Sequence, residues 1–233
     1  DRTSQAETRF VELDEVLKEL DALLAQVADG SLWDDPAFVE VPVNLRRFND
    51  IAFSGDGEPT TYRNFDEIVE RVAEVKARRG GEEPKLILIT NASMFHRPAV
   101  ERGLETLDAH NGEIWAKLEA GTDEYFRLIE RKVVPFERVL QNIASAARRW
   151  PLVIQGLFMR VQGEAPPESE IEAFCDRLCE ITSEGGQLKL VQVYTVARPP
   201  AESFVTALQD RELQEIASRV RARCGLATEV FGG

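Results

Sequence analysis

The sequence predicts an α/β fold with parallel strands, and three observations carry that reading. Short apolar runs beginning near residues 51, 86, 114, 152 and 188 alternate with stretches of helical periodicity, at intervals of 28 to 38 residues. That spacing is the length of a βα unit. The runs are apolar on both faces, as in strands covered by helices on each side. Their C-terminal ends collect amides, carboxylates and amines, and that end of a parallel sheet is where α/β folds place their function.

The elements follow in order. Over residues 10–27, Phe10, Leu13, Val16, Leu17, Leu20, Leu23, Leu24 and Val27 fall at helical spacing, and Gly30 ends the pattern. Residues 31–49 contain Pro36 and Pro42 and read as loop or short extended pieces. The run Ile51-Ala52-Phe53 leads into a dense turn and then a helix with Asn64 as N-cap, Glu67 three residues on, and Phe65, Ile68, Val69, Val72 and Val75 on one face. A strand over 86–89 precedes a helix carrying Val100, Leu104 and Leu107. A strand over 114–118 precedes helices over 123–130 and 135–148. A strand over 152–158 precedes a helix with Ile171, Phe174, Cys175, Leu178 and Cys179 inward. The last strong strand, 188–196, precedes a helix with Leu213, Ile216 and Val220. No linker or composition break divides the chain, so residues 1–233 read as one domain. Periodicity leaves an open doubly wound sheet and a barrel as alternatives.

With 43% hydrophobic and 30% charged residues the chain is neither disordered nor fibrous. Its 28 Lys and Arg against 41 Asp and Glu give a net charge of −13, which disfavours nucleic acid or an anionic membrane as partner. No apolar run approaches the ~20 residues of a membrane span. Three Cys, an odd number, argue against a disulfide framework and for a reducing, cytoplasmic setting. Cys175 and Cys179 lie i, i+4 on an apolar helix face and read as core residues. His96 and His110 have no Cys or His at ligand spacing and read as solvated, so no metal site is expected.

The strand ends hold the candidate site. The first carries Gly55, Asp56, Gly57, Glu58, Pro59 and Thr60, the second Asn91, the third Lys117 and Glu119, the fourth Gln155, and the fifth Tyr194, Thr195 and Arg198. Glycines at 55 and 57 let a ligand approach the backbone, Pro59 stiffens the loop and Glu58 supplies an acceptor, a combination suited to an ammonium or hydroxyl group. The alternative is a plain tight turn. It is not a P-loop, because no Gly-Lys-Ser/Thr follows. Lys117 is a candidate Schiff-base amine or a cation for a carboxylate ligand, or else the partner of a salt bridge to Glu119. Asn91 and Gln155 either bind a ligand or satisfy buried strand ends. Strand ends of a parallel barrel converge on one rim, so these segments are expected to share one cavity.

The segment Phe53-Ser54-Gly55-Asp56-Gly57-Glu58-Pro59-Thr60 resembles the glycine-rich GGEPT motif of the radical S-adenosylmethionine superfamily. Leu88-Ile89-Thr90-Asn91, Trp115-Ala116-Lys117-Leu118-Glu119-Ala120-Gly121 and Val191-Gln192-Val193-Tyr194-Thr195-Val196-Ala197-Arg198-Pro199 fall where later strands of that superfamily do. The set is similar to the iron–sulfur oxidoreductases related to wyosine-type tRNA-modifying enzymes. The resemblance implies a partial (β/α)6 TIM-like barrel holding S-adenosyl-L-methionine on its rim. Residues 55–60 would take the methionine amino group, Asn91 and Lys117 the ribose or carboxylate, and Gln155 and Tyr194 would border the adenine or the substrate. It also implies a 4Fe-4S cluster and a 5′-deoxyadenosyl radical that takes hydrogen from a substrate the sequence does not identify.

The departure is that the superfamily's Cys-x3-Cys-x2-Cys is absent from these residues. Asp1-Arg2-Thr3 and the helix after Arg9 resemble the segment on the C-terminal side of the cluster loop in relatives. The expectation is therefore a chain that lacks the first strand and cluster loop, is inactive alone, and offers an open sheet edge to a second copy. Two other functions compete: a lyase-type barrel with a Schiff base on Lys117, and a non-catalytic barrel binding a nucleotide or a partner protein.

Overall fold

Leucines at 17 and 24 are buried along the first helix, α1 (Leu13–Asp29), in a computed structural model that describes residues 12–55, 57–131, 134–200 and 202–233. The helix ends at Gly30, whose φ of 82° is the left-handed conformation that glycine adopts without a Cβ penalty. The expected helix start at residue 10, the segment at residues 1–3 and Asp56 lie outside the described residues. Residues 31–49 hold two 3₁₀ turns, Ser31–Asp34 and Val43–Leu45, instead of extended pieces.

The remaining elements are β1 (Asp50–Phe53), α2 (Phe65–Arg79), β2 (Lys85–Thr90), α3 (Pro98–Ala109), β3 (Gly112–Lys117), α4 (Asp123–Glu130), α5 (Phe136–Ala147) and β4 (Leu152–Leu157). They continue as β5 (Met159–Val161), α6 (Glu168–Ser183), β6 (Leu188–Tyr194), β7 (Val205–Ala207), α7 (Asp210–Cys224) and β8 (Thr228–Phe231). Six strands form one sheet in the order β1-β2-β3-β4-β6-β8, and β5 pairs antiparallel with β7 apart from it. This is the expected α/β class, built on parallel strands alternating with helices.

The chain divides into two compact units, one of residues up to 88 with 97–113, the other of 89–96 with 114–233. In the first, β1 runs parallel to β2 with Phe53 opposite Leu88. Its core is Phe65 and Val69 of α2, Leu86 and Leu88, and Val100, Leu104 and Leu107 of α3. Gly103 lets α3 approach α2, because a Cβ there would press on the Phe65 ring. Lys76 is buried in this unit, with Nζ donating to the carbonyls of Glu82 at 3.3 Å and His110 at 3.1 Å, and burial holds its pKa below the usual lysine range. In the second unit β3, β4, β6 and β8 follow one another as parallel neighbours, and its buried residues include Ile154, Val191 and Val193 of the strands and Ile143, Phe174, Leu178 and Leu213 of the helices.

Several expectations are corrected. Asn64 is the N-cap residue of α2 as expected, but its side chain makes no cap bond; its Nδ2 donates to Glu67 Oε2 at 3.1 Å instead. A short strand that the sequence reading does not include, β8, joins the sheet beside β6 after the last strong strand. Ala52 of β1 is exposed, so the first strand is not covered on both faces. The cysteines also differ. Cys175 is fully buried, but Cys179 pairs with Cys224 at the end of α7 as a disulfide, with a Cα–Cα distance of 5.4 Å. Sequence spacing places Cys179 on the core face, whereas the helix turns it toward the last turn of α7.

Candidate functional site

The glycine-rich segment follows β1 directly. Gly55 has a φ of 152°, a conformation in which a side chain is strained, and a Cβ built on Gly55 or Gly57 meets nothing within 4 Å. Backbone is therefore accessible here to an incoming ligand. The side chains behind it serve the loop itself. Glu58 Oε1 accepts from Thr60 N at 3.2 Å and from Thr60 Oγ1 at 2.6 Å, while Thr61 Oγ1 donates to Glu58 O at 2.7 Å. Pro59 begins the 3₁₀ turn Pro59–Thr61, and Thr60 is completely buried. Glu58 thus fixes the turn and Thr60 is its internal partner.

The other predicted residues belong to the second unit. Parallel pairing sets Lys117 opposite Gln155, Gln155 opposite Gln192, and Gln192 opposite Glu229. Partners in a parallel ladder share a face, so one polar row crosses four strands. Gln155 Nε2 donates to Gln192 Oε1 at 2.8 Å, and Gln192 is buried. Tyr194 lies two residues along β6, on the same face as Gln192, and Glu119 follows two residues after Lys117, beyond the end of β3. Burial raises the Tyr194 phenol well above its ordinary pKa, and the Glu119 and Glu130 carboxylates add to the shift. The phenol keeps its proton and remains a hydrogen-bond donor at neutral pH.

Asn91 Oδ1 accepts from Ser93 N at 3.0 Å, turning the chain after β2. Asn91, Ser93, Lys117, Glu119 and Glu130 line a narrow pocket of about 10 Å³ floored by Phe126, Val134 and Val139. That volume suits about one water molecule. Asn91 and Lys117 share this pocket, and Lys117 and Gln155 share the row.

The segment after Lys117 is held from α6. Glu170, buried, accepts from Gly121 N at 2.5 Å and from Thr122 Oγ1 at 2.6 Å, and Thr122 Oγ1 in turn accepts from Tyr125 N at 3.2 Å to cap α4. Burial and the Glu170 charge push the Tyr125 phenol up to about 12. Thr195 is buried and takes the amide of Leu208 at 2.9 Å, whereas Arg198 is exposed. His96 and His110 are exposed, as expected. Sequence reasoning missed Gln192, Glu130 and Glu170. Gln192 was findable, since a lone amide interrupts the apolar run Leu190–Val193; the two glutamates lie in acidic helices and carry no such mark.

The residues present do not form a cluster site. Cys175 is fully buried, Cys179 and Cys224 are bonded to each other, and among the described residues no three His, Cys, Asp or Glu side chains gather to hold a metal. Among the described residues no helix is long and apolar enough to cross a membrane.

No protein-family model matches the chain. It is 22% identical over 195 residues to "GTPase Obg" of Brachyspira hyodysenteriae, which covers 82% of this chain and 26% of that protein. The chain therefore spans about a quarter of that relative. Among solved structures, a domain of the pyruvate-formate lyase-activating enzyme from Bacteroides vulgatus superposes with a TM-score of 0.54 at 17% identity, covering 79% of this chain and 99% of that one. TYW1 with a lysine–pyruvate adduct bound gives a TM-score of 0.55 at 16% identity over 95% of this chain and 66% of that one. Archaeal TYW1 gives 0.54 at 15% identity over 95% and 67%. The chain has the fold of these enzymes.

Proposed function

We propose that this chain is the S-adenosylmethionine-binding part of a radical S-adenosylmethionine enzyme. The observation that carries the reading is the open backbone at Gly55 and Gly57, set directly at the C-terminal end of β1 and stiffened from behind by Glu58 and Thr60. The motif over residues 53–60 and the fold shared with the pyruvate-formate lyase-activating enzyme and TYW1 support it. The loop backbone, in the first unit, is suited to the methionine amino group; in the second unit, taken by itself, Lys117 offers a cation for a carboxylate, and Asn91 and Gln155 offer amides for hydroxyl and base edges. Tyr194, held protonated, donates a hydrogen bond without adding charge. When bound, an iron–sulfur cluster supplies the electron for cofactor cleavage. Its ligands have no place among these residues, so activity belongs to a protein that supplies them from another segment.

Gly57→Val tests the reading in the parent protein with its cluster rebuilt. A β-branched side chain fits the open space at residue 57 and blocks the approach to the backbone, so S-adenosylmethionine cleavage is expected to be lost with thermal stability unchanged. Cleavage at the wild-type rate would reduce the loop to a turn. A parent gene without a Cys-x3-Cys-x2-Cys encoded upstream of Asp1 would favour the non-catalytic binding barrel.

A second reading rests on Lys117, half-buried at its strand end, and on the lysine–pyruvate adduct carried by one TYW1 structure. In it the amine condenses with a 2-oxo acid, losing water. Pyruvate with borohydride should then add a stable mass to the peptide containing Lys117 and none to Lys117→Arg. No Gly-Lys-Ser/Thr occurs in the 233 residues, so they hold no P-loop for a guanine nucleotide.

A further inference from the structure

Cys179, on α6, and Cys224, the last residue of α7, are joined across a sequence separation of 45. Each of the two sulfurs also lies near a backbone carbonyl oxygen, the kind of acceptor a thiol uses. Cys224 Sγ lies 3.2 Å from the carbonyl oxygen of Cys175, and Cys179 Sγ lies 3.7 Å from that of Arg223. Both cysteines are half-buried, within reach of a small reagent, whereas Cys175 is fully buried and burial pushes its thiol up. The third sulfur therefore stays protonated and out of the exchange.

The docking of α7 on α6 does not depend on this bond. Arg219 pairs with Glu168 at 2.7 Å, Arg223 pairs with Asp176 at 2.5 Å, and Leu213, Ile216, Ala217 and Val220 are buried. The chain beyond Cys224 leads to the edge of the sheet. Gly225, with a φ of 67°, ends the helix, and β8 follows three residues later. This four-residue strand pairs with β6, with Phe231 opposite Tyr194 and half exposed. A bond at Cys224 adds a covalent anchor at the root of β8 to the ladder with β6 and the packing of β8 on α7.

We propose that Cys179 and Cys224 are a redox-modifiable pair, open to thiol–disulfide exchange with low-molecular-weight disulfides, that sets how firmly edge strand β8 is held on β6. In the oxidising direction one protein thiolate attacks the small disulfide, forming a mixed disulfide and releasing one small thiolate. The second protein thiolate attacks the protein-side sulfur of that mixed disulfide and releases the other small thiolate. Two protein S–H bonds are lost, one S–S bond is gained, and the reagent is reduced to two thiols; excess small thiol reverses each step. The device stands apart from the proposed cofactor chemistry and is tested without it.

The chain is equilibrated in mixtures of glutathione and glutathione disulfide, then quenched in acid. Free thiols are counted after denaturation, and amide hydrogen exchange is read by peptide. The count should pass from three to one as the mixture becomes oxidising, with a Cys179–Cys224 peptide in the mass spectrum. On reduction, exchange over residues 225–231 should rise about tenfold or more while α6 stays protected. The Cys175→Ser variant should show the same transition from two thiols to none, and Cys179→Ser and Cys224→Ser should each exchange at the reduced rate in every mixture. Three free thiols at every ratio, or equal protection of β8 in both states, overturns the proposal.

Discussion

At Gly121 the backbone of α6 comes so close that an added Cβ would strike Ala173 and Phe174. The same residue gives its amide to buried Glu170, so one position joins a steric and a polar requirement. Neither can relax alone, because the obstacle is helix backbone. Gly121→Ala should therefore cost about 3 kcal/mol or more, read as a lower denaturant midpoint at unchanged slope. A shift below about 0.5 kcal/mol would mean that α6 moves away easily. Gly57 is the contrast. Its surroundings are empty, so Gly57→Val should leave the midpoint within about 0.5 kcal/mol of wild type. Glycines that look alike in the sequence thus divide into one that the fold requires and one that only a ligand could require.

At the scale of elements, α7 is held at both ends. Its first turn receives Glu212, whose Oε2 accepts from Gln209 N at 2.9 Å and whose Oε1 accepts from Arg160 at 2.5 Å. The Gln209 amide, with Arg160 behind it and partial burial in opposition, holds the carboxyl below its usual 4.5. A depressed folded pKa means that the stabilisation is complete above about pH 4.5 and is lost as pH falls through the folded value. Glu212→Gln should cost about 0.5–1 kcal/mol at pH 7, and its melting curve should converge on the wild-type curve toward pH 3. A constant gap across that range would remove the charge from the account. The long helices, and the strands of six or seven residues, are legible in the sequence because their apolar period is sustained, and four-residue β1 because its apolar run ends in a dense turn. Strands β5, β7 and β8 are not, since three or four residues carry too little period and are placed by a partner distant in sequence. The candidate site is legible to the same extent. Parallel topology places Lys117, Gln155 and Tyr194 at strand ends, but nothing local reveals that Glu58 serves its own loop or that Glu170 reaches across from α6.

For the whole molecule, the three cysteines decide what the chain can hold by itself. One is buried and two are joined, so anaerobic reconstitution with iron and sulfide should leave this chain colourless and below stoichiometric iron. One cluster per chain would mean that the thiols rearrange and that the helix pair α6–α7 opens. The polar row of Lys117, Gln155, Gln192 and Glu229 has a further effect, on how the four strands find their alignment. Each strand contributes one polar side chain at the matching height, between rows that are mostly apolar. Sliding one strand by a single residue reverses its faces and drives its amide or charge toward the layer packed by helices, where an unpaired polar group costs roughly 1–3 kcal/mol. The row thereby works as an alignment key: the residues suited to meeting a ligand also penalise every misthreaded sheet, so exchanging them for apolar side chains would free the strands to settle one step out of place.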